Sequence, residues 1–448
     1  MLRFYNQGLY GEGLLSEKDL SIWNVSAAMK RLKARFDSQE LGFFDCPDES
    51  GEEINTWAAE RLTEKWTDQV VIGIGGSSLG ARAILDSARP EELRGLRTHF
   101  AENLDPESVD RLFSSIDPKT TLLVVITKSG TTIETMSQFW IARELLVAAV
   151  GQEAAKDHIV AITDPKSGEL RSMVEKEGWK DFSVPPNVGG RFSVLTAVGL
   201  VPLALAGYPI ERLLKGARDV RDRFATSEAM AESWGVMAAE HLALATKGID
   251  QIVMMTYGDR LKALVDWFCQ LWGESLGKAT NRHGDQVHVG ITPIKAVGVI
   301  DQHSQVQLYM EGPKNKHIAF LEVARFDRDR RIPDSPIMPG LEHLQGKLLS
   351  EVFQAELDGT RGALQKEGRA TSTWRFEEIS PEPVGAFLFA WEMITAAAGE
   401  LWEINAFDQP GVELGKKIAH GILGRPGYGE YSQGFTSSEA QRFSLLLP

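Results

Sequence analysis

Two stretches of the sequence carry the residue types of an anion-binding site. In "ITKSGTTIET" (126–135), Lys128 and a glycine stand among five hydroxyl side chains, directly after the apolar run "TLLVV". In "VVIGIGGSSLG" (70–80), four glycines and two serines follow another apolar run. Hydroxyl donors, free amides at a helix start and one ammonium group suit a phosphate monoester. The alternatives are helix capping, which needs a single hydroxyl, and a plain glycine-rich turn.

A third stretch, "NVGGRFSVLTAVG" (187–199), places Arg191 after two glycines at the start of an apolar segment. Such an arginine either forms a structural ion pair or faces an anion, and the residues alone leave both interpretations open. In the predicted helix 259–275, Asp266, Gln270 and Glu274 form a polar stripe at i, i+4 and i+8 on an otherwise apolar segment. Glu274 ends this stripe and is a candidate proton-transfer base; a solvated stripe is the commoner alternative.

The stretch "FDQPGVELGKKIA" (407–419) predicts a helix with Pro410 in its first turn. Glu413 and Lys417 have the i, i+4 spacing of a surface ion pair. Lys416 shares a face with Gln409 instead, which makes these two a candidate polar pair.

Histidine and cysteine spacing gives no metal motif. His283 and His288 in "NRHGDQVHVG" have the wrong separation for a common metal site, and Cys46 and Cys269 are too few and too far apart for a zinc cluster. His303, in "DQHSQVQL", is predicted to lie in a polar loop.

Short apolar runs alternate with helical segments, and this pattern predicts an α/β fold with parallel, doubly wound sheets. Residues 16–40 are predicted to form one amphipathic helix. The strand candidates are 69–74, 96–102, 121–127, 158–163, 250–258 and 317–323; further helices are predicted at 340–367, 383–403 and 410–423. The two anion-binding stretches begin where strands end, and open α/β sheets bind ligands at that edge.

Composition excludes some function classes. The 448 residues include 48 Lys and Arg against 62 Asp and Glu, for a net charge of −14, so neither nucleic acid nor an anionic membrane is an expected partner. The longest apolar stretch, 192–210, contains a proline and two glycines and is predicted to be a core helix. With no apolar signal-peptide core at the N-terminus and two distant cysteines, a cytoplasmic protein is expected.

Taken together, "GIGGSSLG", "ITKSGTTIET", "GGRFS", "GESLGK", "DQHSQ" and "FDQPGVELGK" resemble the phosphoglucose isomerase family over nearly the whole chain. The resemblance implies two sugar-isomerase domains, each a mainly parallel sheet flanked by helices, with a helical C-terminal tail. It predicts an N-terminal helical segment at 1–48 packed on the second domain, a first domain at 49–210 and a second at 211–448. It also implies a homodimer with shared active sites that uses no metal or cofactor.

By this resemblance, the substrate is a sugar 6-phosphate whose aldose and ketose forms are interconverted through a cis-enediol. Glu274 would move the proton between C1 and C2, Arg191 would stabilise the enediolate, and His303 and Lys416 would assist ring opening. The residues expected to bind substrate or orient its neighbours are Gly76, Ser77, Thr127, Lys128, Ser129, Thr132, Gln270 and Gln409. Members of the family from vertebrates have serine in place of Thr127, which retains the hydroxyl.

Three alternatives remain. The enzyme could also accept mannose 6-phosphate. A non-catalytic sugar-phosphate sensor would need the phosphate loops but not Glu274, His303 and Lys416. A nicotinamide dehydrogenase is disfavoured because Ser78 stands where a dinucleotide fingerprint requires glycine.

Overall fold

A computed structural model describes residues 1–48, 51–335 and 338–433. By internal contacts the chain divides into two compact units, residues 1–406 and 407–448. The first unit holds all the strands found among the described residues, and the second begins with two short helices.

The strands are β1 (Leu2–Tyr5), β2 (Asp68–Ile72), β3 (Arg97–Ala101), β4 (Thr121–Ile126), β5 (Ile159–Thr163), β6 (Lys180–Ser183), β7 (Gln251–Tyr257), β8 (Lys278–Thr280), β9 (Gln286–Val289), β10 (Thr292–Val297), β11 (Lys316–Val323) and β12 (Ala370–Phe376). The helices are α1 (Glu17–Ser21), α2 (Val25–Asp37), α3 (Gly51–Leu62), α4 (Leu79–Ser87), α5 (Pro106–Ser114), α6 (Ile133–Val150), α7 (Gln152–Ala155), α8 (Glu169–Glu177), α9 (Ala197–Leu205), α10 (Ile210–Thr226), α11 (Glu228–Thr246), α12 (Lys262–Leu276), α13 (Val306–Glu311), α14 (Leu349–Lys366), α15 (Pro381–Leu401), α16 (Glu413–Ile422) and α17 (Gly429–Ser432).

Two five-stranded sheets organise the first unit. The first has the order β3-β2-β4-β5-β6, and all its strands are parallel. Every residue of β2, β4 and β5 is buried, because helices cover both faces of the sheet. The continuous apolar runs seen in the sequence are therefore central strands, and the predicted fold class is confirmed.

The second sheet has the order β1-β12-β11-β7-β10, with β1 antiparallel to β12 and the other pairs parallel. Its first strand comes from the N-terminal segment. The two sheets span residues 68–183 and, apart from β1, 251–376. The predicted domain boundaries, 48/49 and 210/211, remain predictions.

The apolar stretch 192–210 is largely buried, as expected, but it holds only the short helix α9 before α10 begins at Ile210. Among the described residues, the longest apolar helix is α15. By length and composition α15 alone, among the described residues, could cross a membrane, but 94% of its most apolar window is buried inside the protein. Such burial is typical of a core helix.

Two helix predictions differ from the structure. Residues 16–40 form α1 and α2 rather than one helix, because the side chain of Asn24 accepts the N–H of Ala27 and starts a new helix. The predicted helix 340–367 begins only at Leu349, where the side chain of Glu351 accepts the Leu348 N–H at 2.6 Å.

Candidate active site

The first glycine-rich loop follows β2 and forms a 3₁₀ turn over Gly75–Ser77. Gly75 has a φ of +58°, which favours glycine. A Cβ atom on Gly76 would lie 2.3 Å from the carbonyl of Gly190, so only glycine permits this close backbone approach. The turn therefore packs directly against the backbone that carries Arg191, and Ser77 lies half-buried at the same place.

The second loop follows β4, which is the direct neighbour of β2 in the sheet. The hydroxyls of Thr127 and Thr132 lie 3.1 Å apart, and the Gly130 N–H donates to Thr127 Oγ1 at 3.2 Å. Ser129 Oγ accepts the Thr131 N–H at 3.2 Å. These contacts gather the predicted hydroxyls at the start of α6, which begins after Thr132.

Two residues of the stretch 126–135, Thr135 and Lys128, have surroundings different from those of the loop hydroxyls. Thr135 is buried within α6, so its hydroxyl is not part of the exposed loop. Lys128 Nζ donates to the backbone carbonyls of Pro186 at 2.8 Å and Val188 at 3.1 Å. Partial burial lowers the pKa of Lys128, an effect that the carboxylate of Asp164 opposes. The lysine thus ties the second loop to the segment that leads to Arg191.

Arg191 is buried, and its guanidinium contacts two residues of α12 and the backbone after α15. Nε donates to Ser275 Oγ at 2.7 Å, and Nη2 donates to the Ala406 carbonyl at 2.6 Å. Nη1 lies 3.5 Å from Glu274 Oε2. The structure therefore shows an ion pair between Arg191 and a partly exposed carboxylate, and the role of Arg191 as an anion-facing group stays a prediction.

Glu274 lies in the last turn of α12, and 36% of its side chain is exposed. The helix is held by a buried apolar face that includes Leu264, Phe268 and Leu271. Lys278 Nζ donates to the Glu274 carbonyl at 2.7 Å and so satisfies one backbone acceptor at the end of the helix. This arrangement fixes the backbone from which the carboxylate projects.

Gln270 joins the first loop to this carboxylate. Its Nε2 is 3.4 Å from Glu274 Oε1, and a Cβ atom on Gly75 would lie 2.7 Å from the same nitrogen. One turn earlier on the stripe, Asp266 pairs instead with Lys295 at 2.7 Å. The predicted polar stripe therefore divides into a surface ion pair and a pair of residues beside the glycine-rich loop.

His303 ends a 3₁₀ turn that follows β10, and its side chain is exposed. Asp301 holds this turn: its carboxylate accepts the Val297 N–H at 2.7 Å and the Ser304 hydroxyl at 2.6 Å.

Gln409 and Lys416 belong to the second unit. Gln409 precedes the 3₁₀ turn Pro410–Val412, and both predicted residues are exposed. Lys416 Nζ pairs with Glu413 at 2.8 Å and, through this hydrogen bond, lowers the pKa of that carboxyl. The predicted Glu413–Lys417 pair is wrong, because Lys417 instead lies over the ring of Tyr431, 5.4 Å from its centroid.

Metal ligands are not grouped in the described part of the chain. Among residues 1–48, 51–335 and 338–433, no three His, Cys, Asp or Glu side chains are placed to hold an ion. His283 lies 3.5 Å from Glu403, at the surface.

Sequence reasoning missed two of the groups that hold Arg191, Ser275 and the Ala406 carbonyl. Ser275 had a signal: it follows Leu271 by four residues, so it is a polar residue on the buried face of α12. A buried hydroxyl on such a face requires a partner. The Ala406 carbonyl is a backbone atom, and no sequence pattern distinguishes it.

The model of the phosphoglucose isomerase family matches residues 50–442, a range that contains all the predicted site residues. Glucose-6-phosphate isomerase of Carboxydothermus hydrogenoformans is 45% identical over 434 residues, which cover 94% of this chain and 93% of that protein. The protein of the same name from Thermus thermophilus is 40% identical over 379 residues, which cover 84% of this chain and 89% of that protein.

Solved structures agree with this relationship. A crystal structure from Thermus thermophilus, described as a hypothetical protein, has a TM-score of 0.83 and 37% identity, and the match covers 95% of this chain and 100% of that one. A glucose-6-phosphate isomerase from Chlamydia trachomatis has a TM-score of 0.72 and 26% identity, and the match covers 85% and 74%. The similarity in fold thus extends over most of the chain.

Proposed function

Because the chain belongs to the phosphoglucose isomerase family, it is an aldose–ketose isomerase that interconverts glucose 6-phosphate and fructose 6-phosphate, and we propose how its residues divide this work. The reaction serves glycolysis and gluconeogenesis. The observation that carries the assignment of roles is the pairing of Glu274 with Arg191 beside the glycine-rich loop.

Glu274 is the base. Its carboxylate takes the proton from C2 of the open-chain aldose, and the electron pair left behind forms the C1–C2 double bond of an enediolate. A second proton passes from the C2 oxygen to the C1 oxygen, and the same carboxylate returns the first proton to C1 to give the ketose. Partial exposure supports this role, because a substrate can reach the carboxylate while a buried helix face holds its backbone still.

Arg191 stabilises the negative charge that develops on the enediolate oxygens. Its guanidinium is fixed by hydrogen bonds before substrate arrives, so it does not need to reorganise as charge appears. The adjacent Gln270 bridges the first loop and Glu274, and we assign it to substrate orientation.

The phosphate group binds at the two loops that follow β2 and β4. The hydroxyls of Ser77, Thr127, Ser129 and Thr132, the Gly76 backbone and the Lys128 ammonium are its donors in this proposal. An ammonium has three donors, and the Pro186 and Val188 carbonyls account for two contacts. Because the phosphate does not react, its binding energy can hold C1 and C2 against the base.

His303 and Lys416 open the cyclic sugar in this proposal by moving protons between the C1 hydroxyl and the ring oxygen, and Gln409 contacts the substrate. His303 acts in the site of a partner subunit. Its exposure supports this assignment, as does a largely apolar groove of about 580 Å³ whose lining includes Val299, Phe326 and Leu349. An apolar surface of this kind suits a second copy of the chain.

We place the enzyme in the cytoplasm. The chemistry belongs to central sugar metabolism, and a chain of 448 residues with only two cysteines, Cys46 and Cys269, suits a reducing compartment.

The test is a coupled assay in both directions. Purified protein should convert fructose 6-phosphate to glucose 6-phosphate, which a dehydrogenase then oxidises with a change in absorbance, and a second coupling system should detect the reverse reaction. Mannose 6-phosphate is the matched competing substrate. No conversion of either glucose or fructose 6-phosphate by folded protein would refute the proposal, and equal rates with mannose 6-phosphate would change the substrate assignment.

A further inference from the structure

The guanidinium of Arg191 is oriented by two acceptors that lie on different elements. Ser275 Oγ accepts from Nε at 2.7 Å, and the Ala406 carbonyl accepts from Nη2 at 2.6 Å. Both residues are fully buried. Because the guanidinium is planar and its donors form a rigid fork, fixing Nε and Nη2 also fixes the direction of Nη1, which lies 3.5 Å from Glu274.

We propose that Ser275 is a positioning residue that, together with the Ala406 carbonyl, aims Arg191 at the enediolate. This inference rests on the proposed function, because it assigns a reason for the orientation of a group that the mechanism already uses. Ser275 itself does not contact substrate in this proposal; it acts through Arg191.

The Ala406 carbonyl is a suitable anchor because the turn after α15 is itself fixed. Glu403 has a φ of +55°, and the Ile404 N–H donates to the Gly399 carbonyl at 3.0 Å. The Arg282 N–H donates to the Glu403 carbonyl at 2.7 Å. A Cβ atom on Gly399 would lie 2.7 Å from the Ala406 Cβ, so the chain returns very close to the helix.

A cluster of charges holds the end of α15 where this turn begins. The carboxylate of Glu400 is inaccessible to solvent and accepts hydrogen bonds from three arginines: Arg35 at 2.7 Å, Arg282 at 2.5 Å and Arg31 at 3.3 Å. Charge-assisted bonds to a buried carboxylate are strong and geometrically restrictive. They come from α2 and from the turn between β8 and β9, so distant elements fix the backbone that supports Arg191.

The direct test is Ser275→Ala. This change removes the acceptor of Arg191 Nε and leaves Arg191 and Glu274 in the sequence. We expect kcat to fall by about tenfold or more while KM for glucose 6-phosphate stays within about twofold, because the lost alignment matters most in the transition state. Ser87→Ala is the matched control: Ser87 is also buried, but its hydroxyl donates to the Ile84 carbonyl within α4.

Two probes separate positioning from a general structural effect. A phosphorylated hydroxamate imitates the planar enediolate, whereas sorbitol 6-phosphate carries the phosphate without a planar centre. In Ser275→Ala, the dissociation constant of the hydroxamate should rise by the factor lost in kcat/KM, and that of sorbitol 6-phosphate should stay within about twofold.

Gly399→Ala tests the second anchor, the Ala406 carbonyl, and replaces Ser275→Ala as the test if that variant does not fold. The added methyl group must displace the turn at Ala406, so the same selective loss of hydroxamate binding is expected. The inference is overturned if the folded variants bind the hydroxamate and sorbitol 6-phosphate more weakly by the same factor. It is also overturned if kcat and hydroxamate binding are unchanged. An inactive wild-type protein would instead refute the proposed function, so the two failures are distinct.

Discussion

At the scale of single residues, Glu274 combines partial exposure with contacts on both carboxylate oxygens. Arg191 Nη1 lies 3.5 Å from Oε2, and Gln270 Nε2 lies 3.4 Å from Oε1. Both distances are long for hydrogen bonds, so the carboxylate is oriented without being firmly held. A proton-transfer base needs this combination, because it must exchange its neighbours for substrate during each turnover.

Replacing Glu274 with glutamine should abolish turnover while preserving substrate binding. The amide has the same shape but cannot accept the C2 proton, and loss of a general base costs on the order of 100- to 10,000-fold in kcat. Steady-state kinetics and phosphate inhibition measure the two properties separately. Asp266→Asn is the control: this residue is on the same helix but pairs with Lys295, and its change should leave turnover intact. Near-normal turnover in Glu274→Gln would show that Glu274 is not the base.

Substituting Lys128 or Thr132 with alanine should weaken the binding of sugar phosphates and of inorganic phosphate by similar factors. In the proposed site the donors of the second loop contact the phosphate, which is common to all these ligands, and the net charge of −14 means that local groups must attract the anion. Competitive inhibition by phosphate at two salt concentrations provides the measurement.

Lys119→Ala is the control for this loop. The residue is exposed and precedes β4, so it lies at the opposite end of the strand from Lys128. Unchanged inhibition by phosphate in both loop variants would argue against phosphate binding there.

At the scale of elements, the sequence predicted what depends on local pattern. Continuous apolar runs identified β2, β4 and β5 because both faces of those strands are covered. The strand "ATSTWRF" (370–376) was missed because it contains no continuous apolar run, although its threonines and aromatic residues favour a strand; in the structure it pairs with β11. Local sequence pattern likewise could not predict that Ser275 and the Ala406 carbonyl accept hydrogen bonds from Arg191, because these groups meet only through tertiary contacts.

Helices α11, α12 and α15 meet β11 around two buried histidines. The ring of His241 lies 5.2 Å from His317, 5.4 Å from Trp272 and 5.7 Å from Trp391, between centroids. Burial lowers the pKa of His241 to about 4, and burial together with the neighbouring His241 holds the pKa of His317 well below its usual range. Both histidines are therefore neutral in the folded protein at neutral pH.

These histidines should make the protein sensitive to acid. In the unfolded chain a histidine titrates near pH 6.5, so protons bind the unfolded state first as pH falls, and stability is lost between about pH 6.5 and 4. At pH 5 the loss for His241 alone is about 2 kcal/mol.

His241→Phe should therefore reduce the fall in melting temperature between pH 7 and pH 5, measured by circular dichroism. His343→Phe, at an exposed position, should not change it. An identical pH dependence in His241→Phe and the wild type would contradict this account.

At the scale of the whole molecule, four residues with proposed roles in catalysis come from separated parts of the chain. Arg191, Glu274 and His303 belong to the first unit, and Lys416 belongs to the second. Of these, Arg191 and Glu274 contact one another. Motif resemblance predicted all four, but residue pattern alone could not predict how His303 is used, because an exposed histidine can serve its own chain or a partner.

Mixing two inactive variants decides between these possibilities. If His303 acts in the partner's site, a mixed dimer of Glu274→Gln and His303→Ala has one site with both lesions and one intact site, because an isologous pair exchanges the same residue in both directions. Random pairing makes half of the dimers mixed, so refolding the two variants together should restore about a quarter of native activity. Each variant refolded alone gives the background. If mixed dimers form, as shown by two different affinity tags, and activity does not rise above that background, His303 serves the site of its own chain.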